Sequence, residues 1–568
     1  MSEIPIAATG TLRAFCDARM LQLIDFHVAR RLAQLAGEAD ADVQLAFALA
    51  ARELRLGSVC VDLATAPQLL KPEVDSDDGS AADDVTLPWP TDTAAWIATV
   101  EQSPAVATPG EPPRAFRLSG TLLYLERYWQ EESTLAALLA ERSALGEGTT
   151  HASRAWTVDE RQEEAIEAAT TLLTTVITGG PGTGKTTIVS TILDRLAPSN
   201  PSVALCAPTG KAAARLSTQV ISLMQADVAL WSGTIHKLLG IRPRSAEAEF
   251  SRSNPLPYDV VVVDETSMAS LEIMRQLLEA VAPTTRLILL GDPQQLRSVE
   301  AGAVLADIER AHLVHAPGGA IVRLVTNHRS NQDITRVAAA IESGDVDAVR
   351  SAIEAAATVN LVEFDGDADP MSFPALREVL LQTASTVQAE ALLGNGLEAN
   401  TALNAHRILC GHREGPFGVG HWGRNARLWL AQQLPDYGYD HAPYVGQPLL
   451  ILKNSDLLRN GETGVVVRNE MGDLTAVIDG GDGLQRLNPS LLDDAEDLHA
   501  MTIHKSQGSQ FSHVSIVLPP LGSPLLTREL IYTAITRAQH GVTLYGSLEA
   551  LDAAVVTPAR RASGLGRA

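Results

Sequence analysis

The sequence predicts an α/β protein: two parallel-sheet domains, a helical N-terminal domain, and a small β-rich insertion in the second sheet domain. Three observations carry that prediction. From residue 156 onward, short β-branched runs (TTVIT, VALCA, DVVVVD, RLILLG) alternate with helical stretches. Four to six apolar residues without polar alternation mark strands buried on both faces, hence a parallel sheet covered by helices. Before residue 150 the apolar spacing is helical instead, as at Leu45, Leu49, Leu54 and Leu56. After residue 440, PLLILKN, ETGVVVRN and LTAVID are separated by Asn-Gly, Met-Gly-Asp and Gly-Gly turns, the pattern of a small antiparallel unit.

Taken in order, residues 1–150 form a helical domain with one short strand, SVCVDL, and the strand-like FRLSGTLLYL, interrupted by two polar loops. They carry amphipathic helices and no catalytic constellation, so docking to a partner is the use predicted for them; the alternative is a lid on the first sheet domain. Residues 151–325 form the first sheet domain, and residues 326–439 and 499–555 the second. The β-rich segment 440–498 interrupts it, because α/β texture resumes at MTIHKSQGSQF and VSIVLP. The tail 556–568, ending PARRASGLGRA, is basic and rich in small residues and is expected to fray.

The composition narrows function. With 568 residues, 45% of them apolar and 20% charged, the chain has material for several packed cores and is not a disordered one. Its net charge of −24 excludes non-specific coating of nucleic acid, so any phosphate contact needs a local patch. Cys16, Cys60, Cys206 and Cys410 are far apart without a C-x-x-C pair, against zinc, iron–sulfur and disulfide frameworks. The N-terminus lacks the basic and apolar regions of a signal peptide, and no apolar run reaches the roughly 18 residues of a membrane span. A cytoplasmic protein without a membrane partner is expected.

TTVIT runs into Gly179, Gly180, Pro181, Gly182, Thr183, Gly184, Lys185, Thr186 and Thr187, and then into the helical IVSTILDRL. This is G-x-x-x-x-G-K-[ST] between a strand and a helix, the phosphate-cradling loop. Its glycines let backbone N–H groups converge on phosphate oxygens at a helix N-terminus. Lys185 would neutralise the β- and γ-phosphates of a bound nucleotide, and Thr186 would supply a ligand to Mg²⁺, as in kinases, transporters and GTPases as well as other ATPases. YDVVVVDETSM places Asp264 and Glu265 at a strand's carboxyl end: Asp264 for the Mg²⁺ shell and Glu265 as general base on the attacking water.

Further motifs come in order: CAPTGKAAARL (206–216), GTIHKLLG (233–240), LILLGDPQQLRSV (287–299), NHRS (327–330), MTIHKSQGSQF (501–511) and LIYTAITRAQ (530–539). The set resembles the superfamily 1 DNA helicases, in the branch related to RecD, and spans roughly residues 156–540. LYLERYWQEE, ahead of the motor, also resembles the N-terminal region of that branch, more weakly. The resemblance implies two RecA-like motor domains, an SH3-like character for the insertion, and a strand-separating pin at 241–257. It implies that Gln162 reads adenine, the alternative being a surface helix glutamine. Gln295 is implied as γ-phosphate sensor, Arg329 and Arg537 as arginine fingers, and Gln510 as a group near the ribose; Asp292 and Gln294 are left as turn residues. DNA contacts fall on Pro208, Thr209, Lys211, Thr234, His236, Thr502 and His504, although His236 and His504 also fit ordinary hydrogen-bonded histidines. Phe511 and Tyr532, near the motifs, fit either core or base stacking.

The implied activity is ATP-dependent translocation on single-stranded DNA with 5′→3′ unwinding from duplex ends. The implied assembly is a RecBCD-type complex, exodeoxyribonuclease V, a heterotrimer with RecB- and RecC-like subunits, in double-strand break repair and recombination. QGSQF, where UvrD-like members carry a Lys-Gly-Leu-Glu-type sequence, favours the RecD-like branch. Nuclease activity is expected from a partner, since GDADP at 366–370 reads as a loop. The alternatives are a stand-alone helicase of the same branch and a non-motor subunit whose nucleotide site is a switch.

Overall fold

The computed structural model describes residues 8–72, 87–145, 160–242, 248–298, 300–327, 331–438, 443–453, 455, 457–480 and 483–566. The N-terminal region begins with helices Gly10–Asp17, Leu23–Ala36 and Ala41–Arg55. Asp40 caps the third by accepting from the amides of Asp42 and Val43, a preferred N-cap role. Leu45 and Leu49 are fully buried, but the helix stops at Arg55 and Leu56 turns outward. A small sheet joins the helices: β1 (Cys60–Asp62), β2 (Val106–Ala107), β3 (Phe116–Ser119) and β4 (Leu122–Leu125), in the order β1-β4-β3-β2. The region is therefore helical with a four-stranded sheet of its own, larger than the sequence suggests.

Helix Glu126–Ala144 leaves this region and packs on the first motor domain, where Leu135 and Leu139 share a core with Val176, Val261 and Leu289. Arg142 fastens it. This buried guanidinium donates to the Thr174 hydroxyl (2.9 Å) and to the carbonyls of Leu173 (3.0 Å), Ala282 (3.1 Å) and Thr285 (2.7 Å). The division near residue 150 is thus a division of sequence and not a seam in the packing.

The first motor sheet contains β5 (Thr174–Gly179), β6 (Val203–Ala207), β7 (Leu230–Thr234), β8 (Val260–Val263), β9 (Arg286–Gly291) and β10 (Gly319–Leu324). Their order is β10-β5-β9-β8-β6-β7, every neighbour parallel. Val261 and Val263 enter the core on one face, Val260 and Val262 the core on the other, which is why the run shows no polar alternation. Of the expected pin, residues 243–247 lie outside the described residues. The C-terminal part of that segment is tied down: the amides of Glu249 and Phe250 donate to Leu239 O, and Leu256 is buried.

The second motor sheet takes β11 (Val359–Val362), β12 (His406–Cys410), β18 (Ala500–Thr502), β19 (Phe511–Val517) and β20 (Ala538–Tyr545), parallel in the order β11-β20-β19-β12-β18. Between β12 and β18 lies the insertion: β13 (Pro448–Ile451), β14 (Thr463–Arg468), β15 (Leu474–Gly480), β16 (Gly483–Leu487) and β17 (Ala495–Asp497). These strands form an antiparallel ladder, β16-β15-β14-β13-β17. The β-rich expectation for the insertion is met.

The tail departs from the sequence expectation. Residues 557–566 do not fray: they return to the N-terminal region and the first motor domain, and Leu565 is only 4% exposed within their shared core.

Candidate active site

In a parallel sheet all carboxyl ends point one way, and ligands gather there. At the end of β5 the loop Gly180–Gly184 leads into helix Lys185–Leu196. Gly182 (φ 84°) and Gly184 (φ 86°) adopt the left-handed conformation, at which a side chain would be strained. Gly180 answers a different need, since a Cβ there would lie 2.9 Å from the Tyr532 hydroxyl. Gln162, on helix Arg161–Thr171, donates through Nε2 to Thr183 O at 2.9 Å, which pins its amide beside the loop. Lys185 Nζ bonds back to the carbonyls of Gly179 and, at 2.9 Å, Gly180.

Beside the loop, β8 ends in Asp264 and Glu265. Asp264 Oδ1 accepts the Glu265 amide at 2.8 Å, and Glu265 has φ 52°. A non-glycine residue in that region stores backbone strain of the kind common at functional sites. Burial first, then the adjacent Glu265, pushes the Asp264 carboxyl up to about 6, while Lys185 pulls it back. Asp292, after β9, is buried and raised by that burial; it accepts from Gln295 Nε2 (3.0 Å), the Gln294 amide (3.0 Å) and the Tyr532 hydroxyl (3.1 Å). Gln295 is thus oriented through its amide nitrogen, while its Oε1 is buried without a hydrogen-bond partner among the described residues.

The second motor domain closes the far wall. Arg537 is buried, its Nε donating to Thr533 O (3.2 Å) and Nη1 to Ser509 O (3.4 Å). Burial lowers its pKa, with Glu265 and then Asp292 opposing that. Gln510 Oε1 accepts from Arg215 Nη2 of the first domain at 2.8 Å. Pro181, Gly182, Gly184, Lys185, Thr186, Thr187, Asp264, Glu265, Gln295, Gln510 and Arg537 all line one cleft of about 770 Å³. The structure therefore gathers most of the sequence-predicted nucleotide residues in one place. Arg329 lies outside the described residues. Sequence reasoning misses Arg215, treats Asp292 as a turn residue and leaves Tyr532 undecided; the hydroxyl-to-carboxylate bond between the last two has no local signal.

The candidate DNA residues sit at neighbouring strand ends. Pro208 and Thr209 come directly after β6, Thr234 ends β7 in register with Ala207, and Thr502 ends β18. Thr209, Thr234 and Thr502 each accept a main-chain amide, from Ala212, Lys237 and Lys505 respectively. Among the described residues none of the three hydroxyls donates a hydrogen bond of its own. His236 is exposed, and burial lowers the pKa of His504. Lys211 is crowded beneath the insertion: burial, then Arg407, lowers it to about 8, while Asp479 and Glu462 pull it upward.

Residues 17–124 match the family model of the RecBCD enzyme subunit RecD N-terminal domain, 162–301 an AAA domain, and 497–545 a UvrD-like helicase C-terminal domain. The chain is 44% identical to the RecBCD enzyme subunit RecD of Mycobacterium tuberculosis, over 99% of this chain and 97% of that protein. The chain belongs to the RecD family. The Mycolicibacterium smegmatis member is likewise 44% identical, over 98% of both chains. An ATP-dependent RecD2 DNA helicase of Deinococcus radiodurans is 30% identical over 75% of this chain but 56% of that protein. As a RecD-family chain with both motor sheets, it is a superfamily 1 helicase, as the motif series implied. Among the described residues no helix is long and apolar enough to cross a membrane.

Proposed function

We propose that this chain is an ATP-driven single-strand DNA translocase and 5′→3′ helicase, acting in the cytoplasm as one subunit of a heterotrimer with RecB- and RecC-like partners. The observation that carries it is the convergence in one cleft of Lys185, Asp264 and Glu265 from one motor domain with Arg537 and Gln510 from the other. A site shared by two bodies converts hydrolysis into relative motion, because its transition state requires closure.

In that reading ATP enters the cleft and Lys185 exchanges its bonds to the Gly179 and Gly180 carbonyls for the β- and γ-phosphates. Glu265 takes a proton from water as the water oxygen attacks the γ-phosphorus and the bond to the β–γ bridging oxygen breaks. Arg537 meets the charge on the transferred group from the opposite wall, and Gln295 Oε1, which has no partner among the described residues, accepts from the attacking water. Arg329 is assigned the second finger from its motif alone. The residues fit Mg²⁺: the buried, proton-prone Asp264 beside Glu265 is an environment that a cation relieves, and Thr186 lines the same cleft. When bound, the ion neutralises charge on the β- and γ-oxygens. Thr209, Thr234, Thr502, His236 and His504 would track phosphates without reading bases.

The match of residues 17–124 to the RecD N-terminal domain favours the subunit over the stand-alone helicase. Strand displacement by the full chain on duplexes with a single 5′ or 3′ tail tests the activity. Unwinding from the 5′ tail alone supports the reading, and unwinding from the 3′ tail overturns its polarity. Co-expression with RecB- and RecC-like chains, then native mass measurement, tests the assembly.

A further inference from the structure

The tail 557–566 crosses three parts of the molecule in ten residues. It starts at the second motor domain, where Thr557 O accepts the Arg528 amide and the Ala559 amide donates to Glu529 Oε2. It ends between the N-terminal region and the first motor domain. There the Ala562 amide donates to Ser58 Oγ and its carbonyl accepts the Val59 amide, while the Glu132 carboxylate takes the Ser563 hydroxyl and the amides of Gly564 and Leu565. Midway, Arg561 donates to three carbonyls of a single loop, those of Ser298, Glu300 (2.9 Å) and Gly302 (2.8 Å).

That loop begins three residues after Gln295. Its far end is held as well: the Gly302 amide donates to Gly57 O at 3.0 Å. Gly57 is left-handed (φ 90°), and a Cβ there would lie 2.7 Å from Arg561 Cζ, so the guanidinium lies close against Gly57. On the near side, Leu296 is gripped by the second motor domain through both main-chain groups, its amide donating to Thr533 Oγ1 and its carbonyl accepting from Gln507 Nε2, each at 2.8 Å. Gln295 thus sits on a short segment clamped at one end by the second motor domain and at the other by the tail.

We infer that the C-terminal segment is a strap and that Arg561 is a positioning residue for hydrolysis, fixing the loop that carries Gln295 into the cleft. A planar fork with five N–H groups suits three carbonyls, and no sequence motif announces the role. The inference rests on the reading of Gln295 as the γ-phosphate sensor. Loss of Arg561 would free the loop while leaving Gln162 and the phosphate loop untouched, so turnover should suffer and nucleotide binding should not.

The test is steady-state DNA-stimulated ATPase of full-length Arg561→Ala, Arg561→Lys and Gln295→Ala, with thermal melting of each. Arg561→Ala should lower kcat roughly tenfold to hundredfold, the scale of a small misplacement of a reacting group, with KM for ATP nearly unchanged. Arg561→Lys, a point charge without the fork, should fall between Arg561→Ala and wild type. If Arg561→Ala is insoluble, Arg561→Lys decides: a reduced kcat at unchanged KM supports the strap, and a wild-type kcat overturns it. Wild-type kcat in Arg561→Ala beside a crippled Gln295→Ala overturns the strap and leaves the sensor standing. Wild-type turnover in Gln295→Ala removes the sensor assignment itself.

Discussion

Replacing Arg537 by alanine separates catalysis from stability. Its side chain is buried but poorly bonded: the contacts to Thr533 O and Ser509 O are 3.2 and 3.4 Å, the second beyond the usual hydrogen-bond range. Its loss should therefore cost the resting fold only about 1–2 kcal/mol, part of it offset by the relief of a buried charge. In the proposed reaction the same group faces the transferred phosphoryl charge in the transition state. An arginine finger there contributes about 10³–10⁵ in rate, equivalent to about 4–7 kcal/mol. Arg537→Ala should thus lower kcat by at least about a thousandfold, with KM for ATP within a small factor and the melting temperature little changed. Arg537→Lys keeps the charge without the fork and should recover part of the rate. The assay is ATP hydrolysis at saturating single-stranded DNA, alongside a melt. A kcat within about threefold of wild type, in a folded protein, would remove Arg537 from the reaction and with it the need for domain closure.

Arg142→Ala leaves the Thr174 hydroxyl and the carbonyls of Leu173, Ala282 and Thr285 without their donor; it should destabilise the chain by about 3–5 kcal/mol in denaturant titration, and a change under about 1 kcal/mol would show that the helix docks by apolar packing alone. Lys211, lowered to about 8 by burial, is a cation below that pH and neutral above it. Single-strand affinity measured from pH 7 to 9 should fall, with the log–log salt slope shrinking by about 0.7, and Lys211→Ala should abolish that dependence. Unfolding is not the cause, because the unfolded chain binds the extra proton between about pH 8 and about pH 10 and the folded state gains stability as pH rises there. An unchanged affinity in wild type would take Lys211 out of the DNA contacts.

The motor was legible because its chemistry is local. The phosphate loop, the β8 run with Asp264 and Glu265, and the later motifs each carry their signal within about ten residues, and buried parallel strands read as unbroken apolar runs. What escaped depends on partners far apart in sequence. Arg142 looks like any helix arginine until Thr174, Ala282 and Thr285 surround it. Asp292 reads as a turn residue because Tyr532, its reason for burial, arrives 240 positions later. The tail misled for a related cause: its arginines, glycines and serine have the composition of a frayed end. Gly564 is needed where a Cβ would collide with the Tyr124 hydroxyl, and Ser563 where it meets Glu132. In the N-terminal sheet, β1 is legible in SVCVDL, and β3 and β4 in FRLSGTLLYL, but β2 is two residues long, too short for a period of two to show.

The central claim is that both motor domains build one hydrolytic cleft whose turnover answers to DNA. The most direct measurement is the ATPase rate of the full chain with and without oligodeoxythymidine, for wild type, Lys185→Ala and Glu265→Gln. The account predicts strong stimulation by the single strand in wild type, no turnover in Lys185→Ala, and ATP binding without turnover in Glu265→Gln. A rate indifferent to DNA, or near wild-type hydrolysis in either variant, would contradict it.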